Sequence, residues 1–211
     1  MAEQILEIYH LLHRHFGPQK WWPGETRLEI TVGAVLTQNT NWRNVEKAIA
    51  NLKGAGLLSL AALAEAPVEI LADHIRPSGY YNLKSGRLKN LIAAIGSSDD
   101  DLENFLAGDL ETLRHDLLAV KGIGPETADS IILYAAEKPI FVVDAYTHRI
   151  LSRHELIWAE SDYHEIQELF MTSLPEDVAL YNEFHALLVR LGKEFCLKGR
   201  PKCENCPLQG V

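Results

Sequence analysis

Apolar residues recur at three- and four-residue intervals along nearly the whole chain, and strict apolar–polar alternation is almost absent. That spacing puts them on one face of a helix and gives little support to a half-buried sheet. Ile5, Ile8, Leu11 and Leu12 form one stripe, and Val45, Ile49 and Leu52 another. Leu88, Leu91, Ile92 and Ile95 form a third, and Leu110, Leu113, Leu117 and Val120 a fourth. Glycine and proline punctuate the chain between stripes, at Phe16–Glu25, Leu52–Gly56, Ile75–Asn82 and Lys121–Glu126. The short apolar run Pro139–Val143 reads as an extended connector or a helix lead-in. The expectation is an all-α protein of roughly ten short helices.

A chain of 211 residues is long enough for one large domain or two lobes with a real core. Its net charge of −9 speaks against a protein that simply coats DNA. Two local basic clusters remain, Arg76, Lys84, Arg87 and Lys89, and then Lys193, Lys198, Arg200 and Lys202. Either is a nucleic-acid contact or a solvated face. The run Ser97–Glu103 carries much of the opposing charge. No apolar run approaches the roughly 18 residues of a membrane span, and acids near the N-terminus argue against a signal peptide. A cytoplasmic, nucleoid-associated protein with no membrane partner is expected.

The segment Lys121–Ile131, KGIGPETADSI, reads as a hairpin between two helices. Gly122 and Gly124 permit positive φ and close backbone approach. Pro125 suits the first turn of a helix, where its missing N–H costs nothing. Amide groups at such a helix start can hold a phosphate oxygen without reading a base. The plain alternative is an ordinary loop in a helical hairpin. Downstream, Asp144 follows the apolar FVV and precedes AYTHRI.

With these residues together, the sequence resembles the helix-hairpin-helix DNA glycosylase superfamily, endonuclease III among them. The matching positions are Gly122, Ile123 and Gly124 in the hairpin, Asp144 after the next helix, and Gln38 in AVLTQNT (Ala34–Thr40). The resemblance implies two helical lobes with a cleft between them. A six-helix barrel-like domain over residues 29–138 would contain the hairpin, and residues 1–28 and 139–211 would form the second lobe. It also implies a partner, double-stranded DNA with a damaged base flipped out, engaged by a monomer. Gly122, Ile123 and Gly124, with Lys84 and Arg87, would hold its phosphates.

Bifunctional members of that superfamily carry a lysine two residues after the second hairpin glycine, where it forms a Schiff base with the sugar. Here that position is Glu126, which cannot form an imine. The resemblance therefore implies a monofunctional DNA glycosylase of base excision repair, with water as the nucleophile. Asp144 would stabilise positive charge on the sugar and orient the water, and it can cap the following helix as well. A bifunctional glycosylase/AP lyase for oxidised pyrimidines, using another lysine, is one alternative. A helix-hairpin-helix DNA-binding module without chemistry is the other.

Within the superfamily, WWP (Trp21–Pro23), GAVLTQNT, RPSGYYNLK (Arg76–Lys84) and KGIGPETAD look most like bacterial 3-methyladenine glycosylases of endonuclease III type. The implied substrate is an alkylated purine such as 3-methyladenine. Such a base carries positive charge and leaves readily, so the site needs aromatic recognition more than acid catalysis. Trp21, Trp22, Pro23 and Trp42 are the pocket candidates, with core packing as the alternative for each. Gln38, Tyr80 and Tyr81 are candidates for pocket or duplex wedge. Lys193 is kept because relatives place a basic residue there. His185, on the same segment, reads as an ordinary satisfied residue.

All three cysteines lie in CLKGRPKCENC, at Cys196, Cys203 and Cys206. Such clustering in a cytosolic chain points to metal rather than to a disulfide. Endonuclease III relatives place a [4Fe–4S] cluster on C-x6-C-x2-C-x5-C, and the fourth cysteine would fall just past Val211. A complete cluster, a three-cysteine cluster, zinc with a histidine partner, or no metal are the readings. The iron–sulfur cluster, with a structural task, is the expectation.

Overall fold

The computed structural model describes residues 2–96 and 98–211. Ser97, at the head of the acidic run, and Met1 lie outside them. Twelve α-helices and no strand occur among the described residues, which group into two compact units, 23–138 and 1–22 with 139–211. No helix of the described residues is long and apolar enough to cross a membrane.

In the unit 23–138, α2 (Arg27–Leu36) is the central rod. Its sequence, RLEITVGAVL, is apolar nearly all round, and Leu28, Glu29 and every residue from Thr31 to Leu36 are buried. A helix without a polar face must be surrounded. Around it pack α3 (Trp42–Gly54), α6 (Tyr81–Ile95) and α9 (Pro125–Ser130), the last running on into a π-helical stretch, Ile131–Ala135. The helices α4 (Leu60–Glu65), α5 (Val68–His74), α7 (Asp99–Ala107) and α8 (Leu110–Ala119) complete the unit. The stripes foreseen on α3 and α6 are buried. Caps set the starts: Thr26 accepts from Glu29 N–H, Asn41 from Asn44, Ser59 from Ala62 and Asp109 from Thr112.

On and before α6, Lys84 is turned inward, which corrects the expectation that it holds a phosphate, and the other basic residues have partners within the unit. Lys84 is 1% exposed, and its Nζ donates to the carbonyls of Leu36 (2.8 Å) and Ser78 (2.7 Å). Arg87 donates to Gln38 Oε1. Lys89 donates to the carbonyls of Leu63, Ala64 and Ala66, at the end of α4. Arg76 pairs with Asp73 at 2.8 Å and lies over the Tyr81 ring. Lys84 and Lys89 share a reason: helix ends leave carbonyls without partners, and a cation nearby satisfies them and the helix dipole.

In the unit 1–22 with 139–211, α1 (Ala2–Phe16) and α12 (Val178–Glu194) pack together, joined by α10 (Ala145–Arg153) and α11 (Tyr163–Ser173). Their core is aromatic: Phe141 stacks on Phe170 at 3.8 Å, and Phe184 and Tyr181 meet Phe141 edge-on. The apolar run before Asp144 is an extended connector, with Ile140, Phe141, Val142 and Val143 all buried. Gln167 donates to the Phe141 carbonyl at 2.7 Å, giving that irregular backbone a partner.

Candidate active site

The hairpin closes with Ile123 as its anchor. Its side chain is buried, and its N–H donates to the Val120 carbonyl at 3.0 Å. Gly122 has φ +97°, which an L side chain rarely adopts, and a Cβ there would meet the Arg87 stem at 2.5 Å. Gly124 differs: its φ is −99° and its Cβ position is open. Only the first glycine is required by the backbone; the second leaves the start of α9 uncovered. Gly122→Ala should therefore cost about 1–3 kcal/mol in a urea titration, while Gly124→Ala should stay within about 0.5 kcal/mol of wild type.

Two contacts brace this turn. Gln38 Nε2 donates to Thr127 Oγ1 (2.9 Å) and to the Gly122 carbonyl (3.3 Å), while its Oε1 accepts from Arg87. Both ends of the amide are thus used inside the unit, as a bridge from the end of α2 to the hairpin. The second brace was not foreseen. Asp129, fully buried on α9, takes a two-pronged contact from Arg114 of α8, Nε–Oδ1 at 2.8 Å and NH2–Oδ2 at 3.2 Å.

Asp144 is the N-cap of α10. Thr147 N–H and Oγ1–H donate to its Oδ1 at 2.7 and 3.0 Å. His185 of α12 brings Nε2 to 3.6 Å from the other oxygen, Oδ2. Gly192 allows α12 to come this close to α10, because a Cβ there would run into the Tyr146 ring. Burial by itself would push the Asp144 carboxyl up. His185 beside it and the Thr147 hydrogen bonds outweigh that and hold it below the usual carboxylate range. The result is an ionised carboxylate in a largely dry setting, 11% exposed. His185, itself buried, is the partner that sequence reasoning passed over.

The remaining candidates separate. Trp21 and Trp22 are half-buried and meet edge to face at 5.4 Å, with Lys193 Nζ 6.0 Å from the Trp21 ring. Pro23 is exposed, and Trp42 is tied by its Nε1 to Glu46 at 2.9 Å. Tyr80, 70% exposed, starts α6 from a left-handed conformation, while Tyr81 lies under Arg76. Glu126 is exposed in the first turn of α9.

The cysteines are three thiols, where a [4Fe–4S] cluster takes four. Cys196 is buried, its Sγ near Arg153 NH1 at 3.3 Å, and Cys203 and Cys206 border a cavity of about 260 Å³ with His154 and Leu208. Burial raises the Cys206 thiol, the Leu208 amide opposes this, and Cys196 and Cys203 add to the rise. The three thiols are within electrostatic reach, yet no three metal-ligating side chains among the described residues converge as a metal-binding group.

A buried carboxylate at a helix N-cap and a braced glycine hairpin on an all-helical fold are the marks of a family. The model for HhH-GPD superfamily base excision DNA repair proteins matches residues 32–176. A Methanocaldococcus jannaschii protein provisionally named a DNA repair glycosylase is 47% identical over 98% of this chain and 94% of its own. The H. pylori 3-methyladenine DNA glycosylase MagIII, solved bound to 1,N6-ethenoadenine, superposes with a TM-score of 0.76. It shares 33% identity over 90% of this chain and 97% of its own. A trapped endonuclease III–DNA covalent intermediate shares the fold, with a TM-score of 0.81 at 21% identity over 99% and 93% of the two chains. The chain belongs to the HhH-GPD superfamily of base excision DNA repair proteins and is a DNA glycosylase of endonuclease III-like type.

Proposed function

We propose that the chain is a monofunctional glycosylase that removes an alkylated purine such as 3-methyladenine from duplex DNA by hydrolysis. The observation that carries the mechanism is Asp144, ionised and fixed by its cap on α10. As the C1′–N9 bond breaks, its electron pair passes to the methylated purine and cancels the positive charge there. Charge grows on the sugar, and the Asp144 carboxylate offsets it. A water oxygen then bonds to C1′, and its proton goes to the carboxylate and on to solvent.

Glu126 supports the monofunctional reading, since it occupies the position where bifunctional relatives carry lysine. The half-buried Trp21–Trp22 pair supports the choice of base: aromatic faces hold a flipped cationic purine by stacking and cation–π attraction. MagIII, a relative at 33% identity with a 3-methyladenine name, points the same way. The hairpin backbone takes the phosphate contact. Tyr80, the exposed ring, is the wedge, because Gln38 is engaged within its own unit. The cysteine tail is the seat of an iron–sulfur cluster with a structural task, supported by its C-x6-C-x2-C spacing, and no chemical step passes through it.

The test is base release from methylated duplex DNA, followed by chromatography. Free 3-methyladenine should appear, strand cuts should appear only after alkali, and borohydride should trap no protein–DNA adduct. Cuts without alkali together with a trapped adduct would replace this reading with the lyase.

A further inference from the structure

We infer that His185 is a positioning residue for Asp144, an inference that rests on the catalytic reading of Asp144. The two carboxylate oxygens have different neighbours. Oδ1 is used twice by Thr147, which fixes the start of α10 but leaves the carboxylate free to rock about that anchor. Oδ2 is the oxygen available to face the sugar or the water, and the polar side chain set against it is His185, at 3.6 Å.

The location is telling. His185 lies among Tyr181, Phe184, Ala186, Leu187, Leu188 and Val189, all buried on α12, and is itself 7% exposed in its side chain. Core packing alone at such a place is met by leucine or methionine, without desolvating an imidazole. Its charged surroundings are otherwise directed elsewhere. Arg149 of α10 donates to the carbonyls of Cys196 and Gly192, and Lys193 of α12 lies toward Trp21. At 3.6 Å, beyond ordinary hydrogen-bond length, the Nε2 edge of the ring walls the carboxylate in, limits its rotation and keeps Oδ2 aimed as charge develops. His185 touches no reacting atom; it acts through Asp144.

The Asn and Gln variants test this, because both are polar and of similar size. The Gln amide nitrogen can occupy the place of Nε2, whereas the Asn nitrogen stops short of it. Single-turnover release of base from methylated duplex should fall about 10- to 100-fold in His185→Asn, with the dissociation constant for the same DNA unchanged. His185→Gln should stay within about threefold of wild type. In an Asp144→Asn background, His185→Asn should lower the rate no further. Equal rates in wild type and His185→Asn would overturn the proposal, as would an equal fold-loss in both backgrounds. Full activity in Asp144→Asn alone would instead remove the catalytic reading beneath it.

Discussion

Asp144→Asn should release base from methylated duplex at a rate lower by about 10²- to 10³-fold, with its melting temperature close to that of wild type. The two halves of this result come from the two oxygens. Asparagine is as good an N-cap as aspartate, so the Thr147 hydrogen bonds can persist and α10 keeps its start. The negative charge is lost. A neutral amide cannot offset the charge that grows on the sugar, and losing a preorganised electrostatic partner costs about 3–4 kcal/mol of transition-state stabilisation. Single-turnover kinetics beside a thermal melt would separate the effects. A variant that melts like wild type and still excises at near wild-type rates would mean the carboxylate is only a cap.

At pH 9.5 Lys84→Met should lower the stability to urea by about 2–3 kcal/mol, and the loss should be smaller at pH 7. Methionine fills much the same space but donates to neither the Leu36 nor the Ser78 carbonyl. Two buried acceptors would then lack partners. The pH trend follows from the ammonium itself. Burial first, then the charge of Arg87, lower its pKa to about 8 from 10.5. Below about pH 8 the folded chain bears the full cost of the buried charge. Between that value and 10.5 the unfolded chain binds more protons, so wild type gains stability as pH rises while the Met variant does not. Urea midpoints at pH 7 and pH 9.5 would show it; a gap that narrows with pH would contradict the burial account.

The helical stripes were legible in the sequence because period is a local property: residues three and four apart share a face whatever the rest of the chain does. The hairpin was legible for the same reason, down to Pro125 at the first turn of α9. The two glycines were not equally legible. Both allow positive φ, but only Gly122 uses it. Lys84 was misread because charge is visible in sequence and unfilled carbonyls are not. Whether Lys84 meets a phosphate or the end of α2 depends on where helix ends fall in space. His185 read as an ordinary satisfied residue because its partner is distant in the chain, and one histidine on an apolar helix looks like filling. Gln38 has the residue type of a wedge, and the bridge its amide makes to hairpin acceptors is one that no sequence spacing reveals.

The inward turn of Lys84, Arg87 and Lys89 also bears on how the enzyme finds its target. Each cation spent on a carbonyl is one fewer to displace counterions from a polyanion, and the chain as a whole carries −9. Fewer cation–phosphate contacts release fewer counterions, so each inward cation takes about 0.9 from the steepness with which log affinity for undamaged duplex falls against log salt.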